Sequence, residues 1–205
     1  MKNFGLYVII TRPQLPYSKI AEYCVMLDIK MLQLREKHLS DREMLSVARE
    51  LRRITKGTVT KLVINDRPDI AILCDADYLH IGQDDLPAEE VKKIVGSGIK
   101  IGISTHSIEQ AKNALALHPD YISFGPIYST NAKEKPDPPV GVGQLAEILS
   151  FAKVPVVAIG GIFPECLKDV LDTGARNVAM IRYLMQTENF YGRASEIIHQ
   201  LKSIP

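Results

Sequence analysis

The sequence has few cysteines, almost no excess of charge and no long apolar run, and each lack excludes a class of protein. Its three cysteines, Cys24, Cys74 and Cys166, are odd in number, widely spaced and without a CxxC pair. That argues against a disulfide framework or a zinc ribbon. Cys24 and Cys74 lie among apolar residues and read as buried free thiols. Lys and Arg total 25 against 24 Asp and Glu, for a net charge of +1. No bulk field therefore favours nucleic acid or an anionic membrane as a partner, and any anion site has to be built locally. The apolar run after Gly5 is too short for a signal-peptide core or a membrane span, so a cytoplasmic protein is expected. Assembly with further copies of itself is left open by the sequence.

What is present is an ordinary globular composition, 46% hydrophobic and 24% charged over 205 residues, enough for one sizeable domain. Short apolar runs rich in β-branched residues recur at 5–11, 31–36, 61–65, 78–82, 99–104, 121–127, 154–159 and 177–182. Segments of helical period fall between them. Met44, Val47, Ala48 and Leu51 make one apolar stripe; Ala194, Ile197, Ile198 and Leu201 make another. Ser40 with Glu43, and Ser107 with Gln110, have capping-box spacing. Pro87 and Pro164 suit first helical turns, and Gly57, Gly98 and Gly174 suit helix ends. Near-continuous apolar strands alternating with helices imply a parallel sheet covered on its outer face. Eight such units predict a single (β/α)8 barrel, a TIM barrel, over residues 1–205; an open doubly wound sheet is the alternative. The irregular stretch 128–140 is a long surface loop after the sixth strand.

Active sites of such barrels form at the C-terminal strand ends, so polar residues there carry the argument. Gln33, Arg35 and Lys37 alternate at the end of the second strand and share one side. Two cations on that side call for an anionic ligand or an ion pair at the rim. Asn65 and Asp66 end the third strand, and Asp84 and Asp85 follow the fourth. Asp66 and Asp85 suit either Mg²⁺, a hard cation that takes a few oxygen ligands, or helix N-caps. Ser104 ends the fifth strand; His80 and His106 are acid–base candidates by type alone. Thr130 and Lys133 lie on the long loop and suit a phosphate grip. Gly160 and Gly161 allow either a close ligand approach or a tight turn, and backbone N–H groups at Gly161, Ile181 and Arg182 suit the phosphate site common after strands seven and eight. Gly141 and Gly143 do not form a dinucleotide-binding fingerprint, since no strand leads into them.

Six segments, QLREK at 33–37, IND at 64–66, HIGQDD at 80–85, IGIST at 101–105, FGPIYSTNAK at 124–133 and AIGGI at 158–162, together resemble the thiamine-phosphate synthase family over essentially the whole chain. The resemblance implies a transferase that joins 4-amino-2-methyl-5-pyrimidinylmethyl diphosphate to thiazole phosphate and releases diphosphate. By the same resemblance, Gln33, Leu34, Arg35, Glu36, Lys37, Asn65 and Lys133 hold the pyrimidine diphosphate, and Ser104 touches the substrate. Asp66 and Asp85 ligate Mg²⁺. Thr130, Asn131, Ala132, Gly161, Ile181 and Arg182 form the thiazole phosphate cradle. Arg35, Lys37, Lys133 and Ser104 are the implied catalytic set, acting on a carbocation-like intermediate with no protein nucleophile.

Two positions depart from the family pattern. The phosphate loop usually reads Thr-x-Thr-Lys, and here Ala132 removes a hydroxyl; the eighth strand usually ends in Ser, and here stands Arg182. An Arg can restore phosphate contacts through its fork of donors, or fill the pocket. Two rivals follow. A thiazole tautomerase-like enzyme on the same barrel usually carries His where this chain has Pro126 and lacks the Asn–Asp pair. A non-catalytic barrel that binds a thiamine-related phosphate is kept open by Ala132 and Arg182.

Overall fold

Parallel strands with both faces covered become apolar on both faces, and this sequence follows that rule closely. A computed structural model describes residues 3–130 and 137–203. Among them, eight strands alternate with helices: β1 (Gly5–Ile10), β2 (Met31–Leu34), β3 (Lys61–Asn65), β4 (Tyr78–Ile81), β5 (Lys100–Thr105), β6 (Tyr121–Phe124), β7 (Val156–Ile159) and β8 (Asn177–Met180). The helices are α1 (Tyr17–Met26), α2 (Asp41–Thr55), α3 (Pro68–Leu73), α4 (Ala88–Val95), α5 (Ile108–Ala116), α6 (Gly141–Phe151), α7 (Pro164–Asp172), α8 (Arg182–Met185) and α9 (Phe190–Lys202). Every neighbouring pair of strands is parallel, and β1 pairs with both β2 and β8, so the sheet closes on itself. The architecture is the predicted (β/α)8 barrel and not the open sheet.

Period-two alternation then divides the core in two. Leu6, Val8 and Ile10 of β1, with Leu32 and Leu34 of β2, face outward into a continuous layer shared with the helices. Tyr7, Ile9, Met31, Val63, Tyr78, Tyr121, Val157 and Ala179 face inward and fill the barrel axis together with Phe4. Cys24 and Cys74 are buried in the outer layer as expected, and Cys166 is half-buried.

Local signals account for most element ends. Ser40 caps α2: its Oγ accepts from the Glu43 N–H, and its own N–H donates to Glu43 Oε2 at 2.9 Å. Ser107 caps α5, but Gln110 turns back to the His106 N–H (2.7 Å) and not to Ser107, which leaves half a box. Pro164 begins α7 as predicted. Pro87 is instead the N-cap of α4, one residue before its first turn, and α4 ends at Gly96 (φ +65°) and not at Gly98. Several strands end sooner than predicted. β2 stops at Leu34, although the Arg35 N–H still reaches Ile10 O at 3.0 Å. β6 stops at Phe124, where the chain turns through a cis Gly125–Pro126 bond, and β8 stops at Met180, where α8 begins.

Candidate active site

The C-terminal strand ends surround a cavity of about 1120 Å³. Gln33, Arg35 and Lys37 line it from the end of β2, Asn65 and Asp66 from β3, Asp85 from the loop after β4, and Ser104 from β5. Thr130 lines it from the loop after β6, Gly161 from β7, and Ile181 with Arg182 from β8. Residues from seven strand ends thus meet at one rim, as sequence position alone requires of a closed barrel. Asn131, Ala132 and Lys133 lie outside the described residues.

Two of the expected substrate contacts are placed elsewhere. Leu34 is fully buried in the layer between strands and helices, because alternation turns it away from the side that carries Gln33 and Arg35. Glu36 does not line the cavity; its Oε1 accepts from the Arg12 N–H (2.5 Å) and from the Tyr17 hydroxyl (3.0 Å), tying the β1 loop to the β2 loop.

The acidic corner has a definite electrostatic character. Lys37 Nζ lies 3.1 Å from Asp66 Oδ2. Burial and the adjoining Asp85 carboxyl push Asp66 up to about 6, and Lys37 offsets this only in part. The adjoining Asp85 thus makes ionising Asp66 harder, and a cation joining the two would relieve that cost. Neither acts as a helix cap: α3 and α4 have Arg67 and Pro87 at their N-cap positions, with no side-chain cap bond. Asp85 Oδ2 instead accepts the Gly82 N–H at 2.6 Å, closing the β4 loop on itself.

Across the cavity, Gly160 (φ +94°) and Gly161 (φ +67°) have left-handed backbone. A Cβ on Gly161 would sit 2.7 Å from Tyr128 O and 2.8 Å from Ser129 O, so the β6 loop packs directly on the glycine. The double glycine is thus needed for the loop as well as for the cavity wall. Ile181, directly after β8, is the N-cap of the short helix α8. The Arg182 guanidinium stacks 5.3 Å from the Phe163 ring centroid.

The cavity also contains Arg12, which the sequence patterns do not single out, and the two histidines expected by type, His80 and His106. Arg12 follows the end of β1 in left-handed backbone (φ +45°), and its guanidinium contacts His38 Nε2. A cation two residues past the end of β1 is the signal that would have marked it. His106 donates through Nδ1 to Gly125 O (2.6 Å), and its Nε2 lies 3.7 Å from Asp137. His80 stacks on Tyr121 from the cavity floor, with centroids 5.5 Å apart. Among the described residues, no helix is long and apolar enough to cross a membrane.

The family model described as thiamine monophosphate synthase matches residues 6–184. A thiamine-phosphate synthase from Halalkalibacterium halodurans is 38% identical over 195 residues, 94% of this chain and 92% of that protein. One from Clostridium novyi is 37% identical over 199 residues, 95% of this chain and 97% of that protein. A solved structure of thiamine phosphate pyrophosphorylase from Pyrococcus furiosus superposes with a TM-score of 0.85 at 31% identity, covering 98% of each chain. The chain therefore belongs to the thiamine monophosphate synthase family and is a transferase.

Proposed function

We propose that this cavity joins 4-amino-2-methyl-5-pyrimidinylmethyl diphosphate to thiazole phosphate in the presence of Mg²⁺, giving thiamine phosphate and diphosphate. The C–O bond to diphosphate breaks and its electron pair leaves with the oxygen. The thiazole nitrogen then supplies the pair for the new C–N bond to the pyrimidinylmethyl carbon. No acid, base or nucleophile from the protein is needed for either bond change. The protein's task is to neutralise charge and to hold two rings in line.

The observation that carries this reading is the meeting of Arg35 and Lys37 with the Asp66–Asp85 pair at one rim. An Asp66 carboxyl whose ionisation is opposed by burial and by the adjoining Asp85 fits a hard divalent cation, which these two side chains would hold and which would relieve that cost. When bound there, Mg²⁺ supplies charge neutralisation for the leaving group. Arg35 lines the same cavity, Lys37 pairs with Asp66, and Lys133 is assigned to the diphosphate by the family resemblance. On the opposite wall, backbone N–H groups at Gly161, Ile181 and Arg182, with Thr130, would take the thiazole phosphate. Asn65, Asp66 and Pro126 all line the cavity, which favours this reaction over a tautomerase.

The test is the coupled reaction itself. Both substrates are mixed with the protein, with Mg²⁺ and with a chelator, and thiamine phosphate and diphosphate are both measured. Equimolar release of the two products with Mg²⁺, and neither with chelator, is the expected result. Binding of both substrates without diphosphate release would identify a non-catalytic barrel instead.

A further inference from the structure

A line of polar side chains crosses the otherwise apolar barrel axis. Gln33 Nε2 donates to the Tyr7 hydroxyl at 2.7 Å. The Tyr7 hydroxyl lies 2.8 Å from that of Tyr121, which lies 3.0 Å from His80 Nδ1. His80 Nε2 is 3.4 Å from Ser123 Oγ, and Ser123 Oγ donates to Ser104 Oγ at 3.4 Å. Both ends, Gln33 and Ser104, line the cavity, while Tyr7, Tyr121 and Ser123 are buried.

Counting protons gives the line a direction. A hydroxyl has one proton to donate. Tyr7 already accepts from Gln33, so its proton goes to Tyr121; otherwise a buried O–H is left without an acceptor, which is costly. Tyr121 must then donate to His80 Nδ1. The ring proton of His80 therefore sits on Nε2 and points at Ser123, which agrees with Ser123 donating to Ser104. Burial pushes both phenols well above their ordinary range, so both keep their protons. The fold also makes room for the line: a Cβ on Gly102 would overlap the Tyr121 ring.

We propose that Tyr7, Tyr121 and His80 are positioning residues of a one-way hydrogen-bond relay that fixes the polarity of the cavity floor, so that Gln33 offers an acceptor oxygen and Ser104 a donor hydroxyl to an aminopyrimidine ring. The inference rests on the pyrimidine reading above. The amide nitrogen of Gln33 is taken by Tyr7, which leaves Oε1 as the atom for the cavity. The Ser104 proton has no acceptor among the described residues. A ring with an amino donor beside a ring-nitrogen acceptor complements this pair; a 4-oxo ring, whose polarity is inverted at that edge, does not. The Gln33 end is held by the shorter bonds and is the firmer arm.

The experiment compares 4-amino-2-methyl-5-pyrimidinylmethyl diphosphate with its 4-oxo counterpart. Equilibrium binding and kcat/KM for diphosphate release are both measured, for wild type, Tyr121→Phe, Tyr7→Phe and Tyr78→Phe. Each variant keeps its ring, and thermal melts confirm folding. Wild type should prefer the amino form by about 10³-fold or more, the scale on which a site built for a hydrogen bond rejects a mismatch. Tyr121→Phe and Tyr7→Phe should cut that preference by about tenfold, because the Gln33 amide loses the partner that orients it. Tyr78→Phe, in the same aromatic layer 6.0 Å from Tyr121, should leave the preference unchanged. Equal losses for both substrates, with the preference intact in Tyr121→Phe and Tyr7→Phe, would reduce the line to a structural role and overturn the proposal. A wild type that releases diphosphate but treats both rings alike overturns the relay and leaves the reaction standing. Preferential binding of the amino form, weakened in the two variants but without diphosphate release, supports the relay and removes the reaction.

Discussion

Asp66 is held where a carboxylate is least comfortable. Its backbone is left-handed (φ +60°), a conformation that Asp and Asn tolerate best among residues with a side chain. Its acid is raised from an ordinary 3.8 to about 6 by burial and by Asp85. A folded pKa above the unfolded one means the native state binds more protons between those two values, so this group costs stability as pH rises from about 4 to about 6. In metal-free protein, Asp66→Asn should therefore raise the unfolding free energy at pH 8 by roughly 1–3 kcal/mol and bring no gain near pH 4. Chemical denaturation at the two pH values checks this, and a gain that is equal at both would contradict the assigned cause. The expected cost is functional: the more stable variant should bind Mg²⁺ poorly. Strand alternation explains Gln33 facing the cavity and Leu34 facing away, whereas Arg35, Glu36 and Lys37 lie past the end of β2 and are placed by the loop, with Glu36 tied to the Arg12 N–H.

Elements are joined at the opposite end of the barrel by a repeated device. Asp77, just before β4, accepts the Leu62 N–H of β3 at 2.9 Å. Asp120, just before β6, accepts the Ile101 N–H of β5 at 2.9 Å. Asn177, the first residue of β8, accepts the Phe4 N–H just before β1 at 2.8 Å. Each bridges the starts of two adjacent strands. Asp77 also takes Arg52 of α2 at 2.8 Å, both side chains being more than four-fifths buried. Asp77→Ala should therefore cost about 1–3 kcal/mol, since it leaves the Leu62 N–H without its acceptor and leaves Arg52 with only the exposed Asp75, 3.3 Å away. Urea melts should show the loss while kcat/KM of the folded fraction stays unchanged, because the site is at the other rim. The contrast in legibility is physical. Strand positions and the α2 cap depend on residues close in sequence, and they could be read directly. Gly98 does not end α4 because Gly96 already does, and Pro87 sits one residue ahead of the first turn as the N-cap. The Asp77, Asp120 and Asn177 bonds, and the polar line from Gln33 to Ser104, join residues up to 173 positions apart, and no local pattern announces them. Inner Tyr7 and outer Val8 look alike to a periodicity argument, since both faces of the strand are buried.

At the scale of the whole molecule, closing the sheet brings chemistry together that the sequence spreads over about 150 positions, from Gln33 to Arg182. Charge is nearly balanced overall, so the pull on an anion comes from placement and not from net charge. Cations from the β2 end and carboxyls from the β3 and β4 ends occupy one arc of the rim, and glycine and helix-start amides occupy another. That division suits the proposed pair of phosphorylated substrates, facing each other across a floor that carries Gln33, His80 and Ser104. Diphosphate release at saturating Mg²⁺ by wild type, Arg35→Ala and Asp85→Ala, each shown to be folded by its melt, tests this arrangement most directly. The account predicts a loss of at least about 10²-fold in kcat for either variant, the scale set by removing a preorganised charge partner of a leaving group. Normal Mg²⁺-dependent release from either folded variant would contradict it.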